Sequence, residues 1–441
     1  MRSIREEVDN IYFCWLPRNE SRNFDNINMA ADAPRITAVK SFLVAPDTRN
    51  PDGPKPGQWL YDQHISNPMS KYPKYRDERE SWGIDVLKNF CVEIEVAGGT
   101  RGFAIGHGGL VGCFLTEEHF KRFLIGSDPR DINRIWDQMY SSSQHYGRRG
   151  ITMMVVSVID LALWDLLGKM RGEPVYKLIG GETREYLTAY CTGPYPELAR
   201  KQGFAAGKVP LPFSPSEPGS IQKNYDALAA YRRSAGPGFP IMVDCYMSLN
   251  ITYAIKLITQ CADLDIEWWE EVLSPDDTEG YILLRQALPH IKWATGEHEY
   301  TRYGYRKLIE SRQIDVIQPD IMWCGGLTEL LRIATHAAAY NIDVVPHGTS
   351  HYTVHFCISQ PNSSLIEYVA YSPDGRSVAP VHGDFFLKEP LPTDGKVKTD
   401  EFSKPGFGLE TSPHVKLVSA RDLLKPYYDI FGELKENLPA A

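Results

Sequence analysis

Six acidic or imidazole side chains recur through the second half of the chain, each closing a short apolar run. PIMVDC carries Asp244, IEWWE carries Glu270, IKWATGE carries Glu297, IDVIQPD carries Asp320, IDVVPH carries His347 and SSLIEYV carries Glu367. Asp244, Glu270 and Glu297 would form an all-oxygen set, which suits Mg2+ rather than zinc. Packed together without a cation, three such carboxylates would repel and be driven to protonate. Their strands are expected to offer no Arg or Lys in register that could take the ion's place. His347 with Asp320 on the preceding strand has the make-up of a general base, since a carboxylate on one ring nitrogen fixes the tautomer and raises the basicity of the other. Glu367 completes the ring and, if protonated, could donate a hydrogen bond to a developing oxyanion. Glu271 should face the other side of its strand from Glu270, and Glu299 should lie past the strand end.

What must position these groups is a repeating unit. The six recur every 20 to 27 residues, the length of one strand, one helix and two short loops. One such residue would only mark where a strand meets water. Six in register are better explained by a parallel barrel, which delivers every strand's C-terminal end to one face. LTAYCT near residue 190 and GFAAGKV ending near Lys208 supply two more strands, giving the eight a barrel needs. The fold class is therefore α/β, a (β/α)8-type barrel over residues 151–375. It is introduced by the helical segment ITMMVVSVIDLALWDLLGKMRG, whose apolar stripe is stopped by Gly172 and Pro174. Residues 34–150 read as an α+β cap: a strand RITAVKSFLV, a hairpin CVEIEVAGG/RGFAIG turning on Gly-Gly, then helices in TEEHFKRFLIG and DINRIWDQMYSSS. Within it, residues 44–82 form a Pro-, Gly- and charge-rich lid with Trp59, Tyr61, His64, Tyr72, Tyr75, Arg76, Arg79 and Trp82. Residues 376–441 are expected to return to the cap, and residues 1–33 read as a flexible extension with a second possible start at Met29.

Composition narrows the function. The 441 residues carry a net charge of −9, with no block of Lys or Arg, which argues against a nucleic-acid or anionic-membrane partner. No run of 18 apolar residues and no apolar leader stands out, so a cytoplasmic protein is expected. The 8 cysteines are scattered singly, as reduced thiols are, and the sequons at Asn19, Asn250 and Asn362 read as chance matches. His347, His351 and His355 in HGTSHYTVH could line one helix face around zinc. The first barrel strand lacks the His pair a zinc amidohydrolase needs, so His351 and His355 read as ordinary helix residues. GHGGLVG lacks the spacing of a dinucleotide loop, and no phosphate-binding P-loop occurs.

The chain resembles the mandelate-racemase-type branch of the enolase superfamily, and within it the L-rhamnonate dehydratases. YDQHISNPMSKY, ESWGIDVL, IDLALWDLLGK, PVYKLIGG, DCYMS, QPDIMWCGGLTEL, VVPHG and KPGFGLE carry the likeness, over about residues 55 to 410. The resemblance implies a barrel of the modified (β/α)7 + β kind and one Mg2+ per subunit on Asp244, Glu270 and Glu297, with His347 as base, Asp320 as its partner and Glu367 as transition-state stabiliser. It makes Arg79 a substrate-contacting lid residue. Where the branch has Lys-x-Lys, this chain reads Lys208-Val-Pro210, which keeps Lys208 as a candidate substrate contact and removes the opposite-face base. Where relatives have a lid histidine the chain reads NPDGPKPG, leaving His64 as the candidate substitute. The implied activity is dehydration of a small acid sugar, L-rhamnonate or its neighbours L-mannonate and L-lyxonate, by a homo-oligomeric enzyme. A racemase or epimerase, or a catalytically silent binding protein, are the alternatives on the same scaffold.

Overall fold

A computed structural model describes residues 34–45, 58–348, 350–372 and 374–432. The expectations placed on residues 1–33, on NPDGPKPG and on residues 433–441 lie outside the described residues. Residues 35–441 cluster as one compact unit.

Its first part comprises β1 (Ile36–Val44), α1 (Trp59–Asp62), β2 (Asn89–Val96), β3 (Arg101–His107), α2 (Gly109–Leu115), α3 (Lys121–Leu124) and α4 (Ile132–Ser143). The β2/β3 hairpin turns where Gly98 and Gly99 adopt φ of +97° and +85°, a backbone region that disfavours any side chain. GHGGLVG and TEEHFKRFLIG merge into one helical run, with α2 and α3 joined by a wider turn over Thr116–Phe120. Then comes α5 (Ile151–Arg171), capped at its C-terminus by Gly172 in the left-handed conformation. The sequence suggests an apolar stripe on α5, yet the helix is buried almost all round. Its composition would let it cross a membrane, but 83% of its apolar window is buried in the fold. The reason is that α5 packs against β2 and β3 on one side and against a barrel helix on the other. Gly102 makes the close approach possible, since a Cβ there would sit 2.1 Å from the Ala162 carbonyl oxygen.

After α6 (Val175–Leu178) the strand–helix alternation begins: β4 (Tyr186–Thr192), α7 (Pro196–Lys201), β5 (Gly207–Pro210), α8 (Ser220–Ala235), β6 (Ile241–Asp244), α9 (Ile251–Gln260), β7 (Ile266–Glu270) and α10 (Gly280–Ala287). It continues through β8 (Trp293–Thr295), α11 (Thr301–Ser311), β9 (Val316–Ile317), α12 (Gly326–Ala339), β10 (Asp343–Val344), α13 (His351–Ser359) and β11 (Leu365–Val369). The eight strands pair in parallel in the order β10-β9-β8-β7-β6-β5-β4-β11, and the Val344 N–H at the end of β10 donates at 2.9 Å to the Asn362 carbonyl, in the loop leading into β11. Tyr190, Met242, Trp268, Ala294 and Val316 form a buried cluster contributed by five of these strands. Asp244 and Glu270 end their strands as expected. Glu297, Asp320 and His347 lie two to three residues past β8, β9 and β10, whose ladders are short, and Glu367 is in the middle of β11.

The remaining chain adds β12 (Lys396–Lys398), antiparallel to β4, and β13 (Leu417–Ser419), antiparallel to β1. The cap sheet is thus β13-β1-β2-β3. Asp165 of α5 joins three segments: it accepts the N–H groups of Phe103 at 2.9 Å and Phe407 at 3.0 Å and pairs with Lys169 at 2.6 Å. The Ile105 N–H of β3 donates to the Tyr352 hydroxyl of α13 at 3.1 Å.

Candidate active site

At the C-terminal side of the strands lies a cavity of about 200 Å3 whose lining includes Lys208, Asp244, Glu297, Asp320, His347 and Glu367. Glu270 is fully buried just below. Its carboxylate accepts from Lys208 Nζ, from Trp268 Nε1 at 3.0 Å and from Gln318 Nε2 at 2.7 Å. Burial pushes the Asp244 carboxyl up to about 7, with Lys208 pulling against it and Glu297 and Glu271 reinforcing it. Burial also pushes up Glu297, opposed by His347 and aided by Glu271.

The strands of these carboxylates carry no Arg or Lys, but the neighbouring strand supplies a cation. Lys208 on β5 is 1% exposed, and its ammonium sits against Glu270, 2.9 Å from Glu367 and 3.9 Å from Asp244. Its Cα pairs with Met242, two residues short of Asp244, but the four-carbon stem extends toward the strand ends and closes that gap. The ammonium lines the cavity and pairs there with these carboxylates. Glu271 does not face away. At φ +43° the chain leaves the strand's alternation as β7 ends, and the Glu271 carboxylate holds His298 Nδ1 at 2.9 Å through both oxygens. Burial opposes ionisation of His298, yet Glu271 and Glu297 raise its pKa to about 9.

On the opposite wall His347 Nδ1 lies 2.9 Å from Asp320 Oδ2, and its Nε2 lies 3.6 Å from Glu297 Oε2. Burial disfavours the imidazolium, but Glu297 and the bond to Asp320 outweigh it and raise the His347 pKa well above its ordinary value. Asp320 is itself fixed by accepting the Met322 N–H at 2.6 Å. The Trp323 ring packs 5.2 Å from His347 and 5.5 Å from His298. Glu367 is surrounded by donors. It accepts from Thr192 Oγ1, from the Gly348 N–H at 2.8 Å and from Lys208. Burial works against its charge, but Lys208 and His347 prevail and hold its pKa down to about 2.

The lid reaches the cavity through Trp59, Arg79 and Trp82. Arg79 stacks 4.4 Å over Trp82 and donates Nε–H to Asp85 at 3.0 Å. His64 is not among the lining residues: its ring nitrogens face Asp77 at 2.6 Å and Glu217 at 3.0 Å, tying the lid to the loop after β5. His351 and His355 are helix residues, buried against Phe402, and burial pushes them down to about 4 and about 3. Glu299 is buried, accepts the Tyr300 N–H and pairs with Arg149 at 3.3 Å. Sequence reasoning missed Thr192, Gln318, His298 and Trp323. Thr192 carried a usable signal, as the polar residue ending the first barrel strand.

The donor set fits a divalent cation. Asp244, Glu270 and Glu297 are all-oxygen groups whose carboxyls burial pushes up to about 7, a cost that a bound dication removes. Among the described residues the tightest grouping of ligand atoms is Glu271, Glu297 and His298, within 4.8 Å of one another. There the imidazole is already held by Glu271, so the ring nitrogen on that side is not available to a metal.

Residues 195–415 match the enolase C-terminal domain-like family, and residues 88–180 match the mandelate racemase / muconate lactonizing enzyme N-terminal domain. Among solved structures, the chain is similar to rhamnonate dehydratase from Gibberella zeae complexed with Mg, at 54% identity and TM-score 0.87 over 90% of this chain and 99% of that one. A structure of L-rhamnonate dehydratase from the same organism matches at 54% identity and TM-score 0.85 with the same coverage. The 3,6-anhydro-D-galactonate cycloisomerase from Zobellia galactanivorans is similar at 28% identity and TM-score 0.68, over 89% of this chain and 99% of that one.

Proposed function

From the premise that this chain belongs to the mandelate racemase / muconate lactonizing enzyme family of the enolase superfamily, we propose that it is an Mg2+-dependent hydro-lyase converting L-rhamnonate to 2-keto-3-deoxy-L-rhamnonate and water. The observation that carries this reading is the His347–Asp320 pair facing buried carboxylates across one cavity, in a chain 54% identical to a rhamnonate dehydratase complexed with Mg.

In this reading His347 works from its neutral form, the Glu297 charge that raises its pKa being taken up in holding Mg2+; its Nε2 takes the proton from substrate C2, while Asp320 accepts from Nδ1 and stabilises the imidazolium that forms. Asp244, Glu270 and Glu297 hold Mg2+, which when bound supplies positive charge for the substrate carboxylate as negative charge develops there. Lys208 favours the ionised forms of Glu270 and Glu367 against the burial that opposes them, and Arg79 closes the wall over the substrate. The C3–O bond then breaks, His347 returns its proton to the departing hydroxyl as water, and the resulting enol takes up a proton at C3 as it loses the one on its C2 oxygen, giving the 2-keto-3-deoxy acid. Pro210 lines the cavity on β5, where an epimerase would need a second base. The enzyme acts in the cytoplasm as a homo-oligomer in L-rhamnose catabolism.

The test is a screen of acid sugars with Mg2+, detecting 2-keto acids as semicarbazones. L-Rhamnonate should turn over, EDTA should abolish turnover and Mg2+ restore it. Turnover confined to L-mannonate or L-lyxonate would move the substrate, and an inactive protein would overturn the reading.

A further inference from the structure

Two polar side chains on the cap side of the cavity have no part in the mechanism above. Asn89 opens β2 and His107 closes β3, and both line the cavity. They are register partners across the hairpin, so their side chains leave the sheet on the same face. The Trp323 indole N–H, a group that can only donate, is directed at His107 Nδ1 at 3.2 Å. That bond requires Nδ1 to carry the lone pair, which places the ring's proton on Nε2. Burial keeps the imidazole neutral by lowering its pKa, against the pull of Asp320 and Asp85. Among the described residues none accepts from Nε2, and the Asn89 amide oxygen is buried without a partner. The pair therefore offers one N–H donor and one carbonyl acceptor, the complement of a hydroxyl group. Its place relative to the base follows from Trp323, whose ring lies 5.2 Å from His347 and 5.9 Å from His107.

We propose that His107 and Asn89 together bind a hydroxyl of the acid-sugar chain beyond C3 and set which configuration is accepted there, with Trp323 fixing the tautomer that makes His107 a donor. The inference rests on the aldonate reading given above. Buried polar groups built around one hydroxyl discriminate strongly, because an analogue that misplaces it leaves them unpaired.

The experiment measures kcat and KM with Mg2+ for acid sugars that share the C2 and C3 configuration of L-rhamnonate but differ at C4 and C5. Wild type is compared with His107→Phe, His107→Gln and Asn89→Leu, each checked by thermal melting. His107→Phe and Asn89→Leu should lower kcat/KM for the preferred acid by about 10-fold or more, mainly through KM, and should bring the epimers toward equal kcat/KM. His107→Gln, which keeps a donor, should retain more of the discrimination than His107→Phe. If His107→Phe fails to fold, Asn89→Leu and His107→Gln carry the same comparison. Active wild type with unchanged epimer ratios in the variants overturns this inference alone, whereas wild type that turns over none of these acids overturns the aldonate reading and this inference with it.

Discussion

Lys208 is the positive partner of both Glu270 and Glu367, yet burial still pushes Glu270, like Asp244 and Glu297, up to about 7. Lys208→Met should leave two buried carboxylates without that charge and lower folding stability by about 3 kcal/mol. Urea unfolding measures it, and added Mg2+ should recover part of the loss by binding the native state. Unchanged stability in the metal-free variant would show that the lysine is not balancing buried charge. His347→Asn should lose both dehydration and exchange of the C2 proton with deuterated solvent, since one imidazole performs both transfers. Asp320→Asn should fall by about 100-fold and not to zero, because it orients and tunes the ring without touching the proton in flight. NMR-detected C2 exchange decides the matter: persistence at the wild-type rate in His347→Asn would assign the base elsewhere.

Helix α5 carries the load between cap and barrel, and its Asp160 makes that junction sensitive to pH. Asp160 is fully buried, accepts the Thr328 N–H at 2.9 Å through one oxygen and leaves the other without a partner. Burial raises its pKa to about 7, against the Thr328 bond that lowers it. A carboxyl raised on folding favours the folded state fully below its unfolded pKa of about 4, and that contribution is lost as pH rises through about 7. Asp160→Asn, which keeps an acceptor for Thr328 and never ionises, should therefore be more stable than wild type at pH 8 by up to about 4 kcal/mol. The difference should shrink toward pH 5. Melting temperatures across that range check it, and parallel curves would remove Asp160 as the cause.

The molecule as a whole depends on its last segment returning to its first sheet. β13 covers the edge of β1 through the register Phe42↔Ser419 to Val44↔Leu417, and Phe407 is pinned to Asp165 at 3.0 Å. Truncation after Ser412 should uncover that edge, which presents unpaired backbone groups to other chains. The shortened protein is expected to melt several degrees lower than the full chain and to self-associate in light scattering. Equal behaviour of the truncated and full chains would show that β13 contributes nothing to the cap.

The barrel, the cap and the six-residue ring were legible in the linear chain because periodicity and strand-end chemistry are local properties. Asp244, Glu270, Glu297, Asp320, His347 and Glu367 recur at the interval of one strand–helix unit, and a parallel sheet carries equivalent positions to one face. What the sequence could not supply was reach and rotation. Lys208 enters the carboxylate cluster along the length of its stem, and Glu271 joins His298 through a positive φ. His64 turns to Asp77 and Glu217, away from the cavity. Trp323 stands among His107, His298 and His347, which are far apart in sequence. Such contacts depend on rotamers, loop dihedrals and the closure of the lid over the strand ends, and only the packed tertiary structure fixes these.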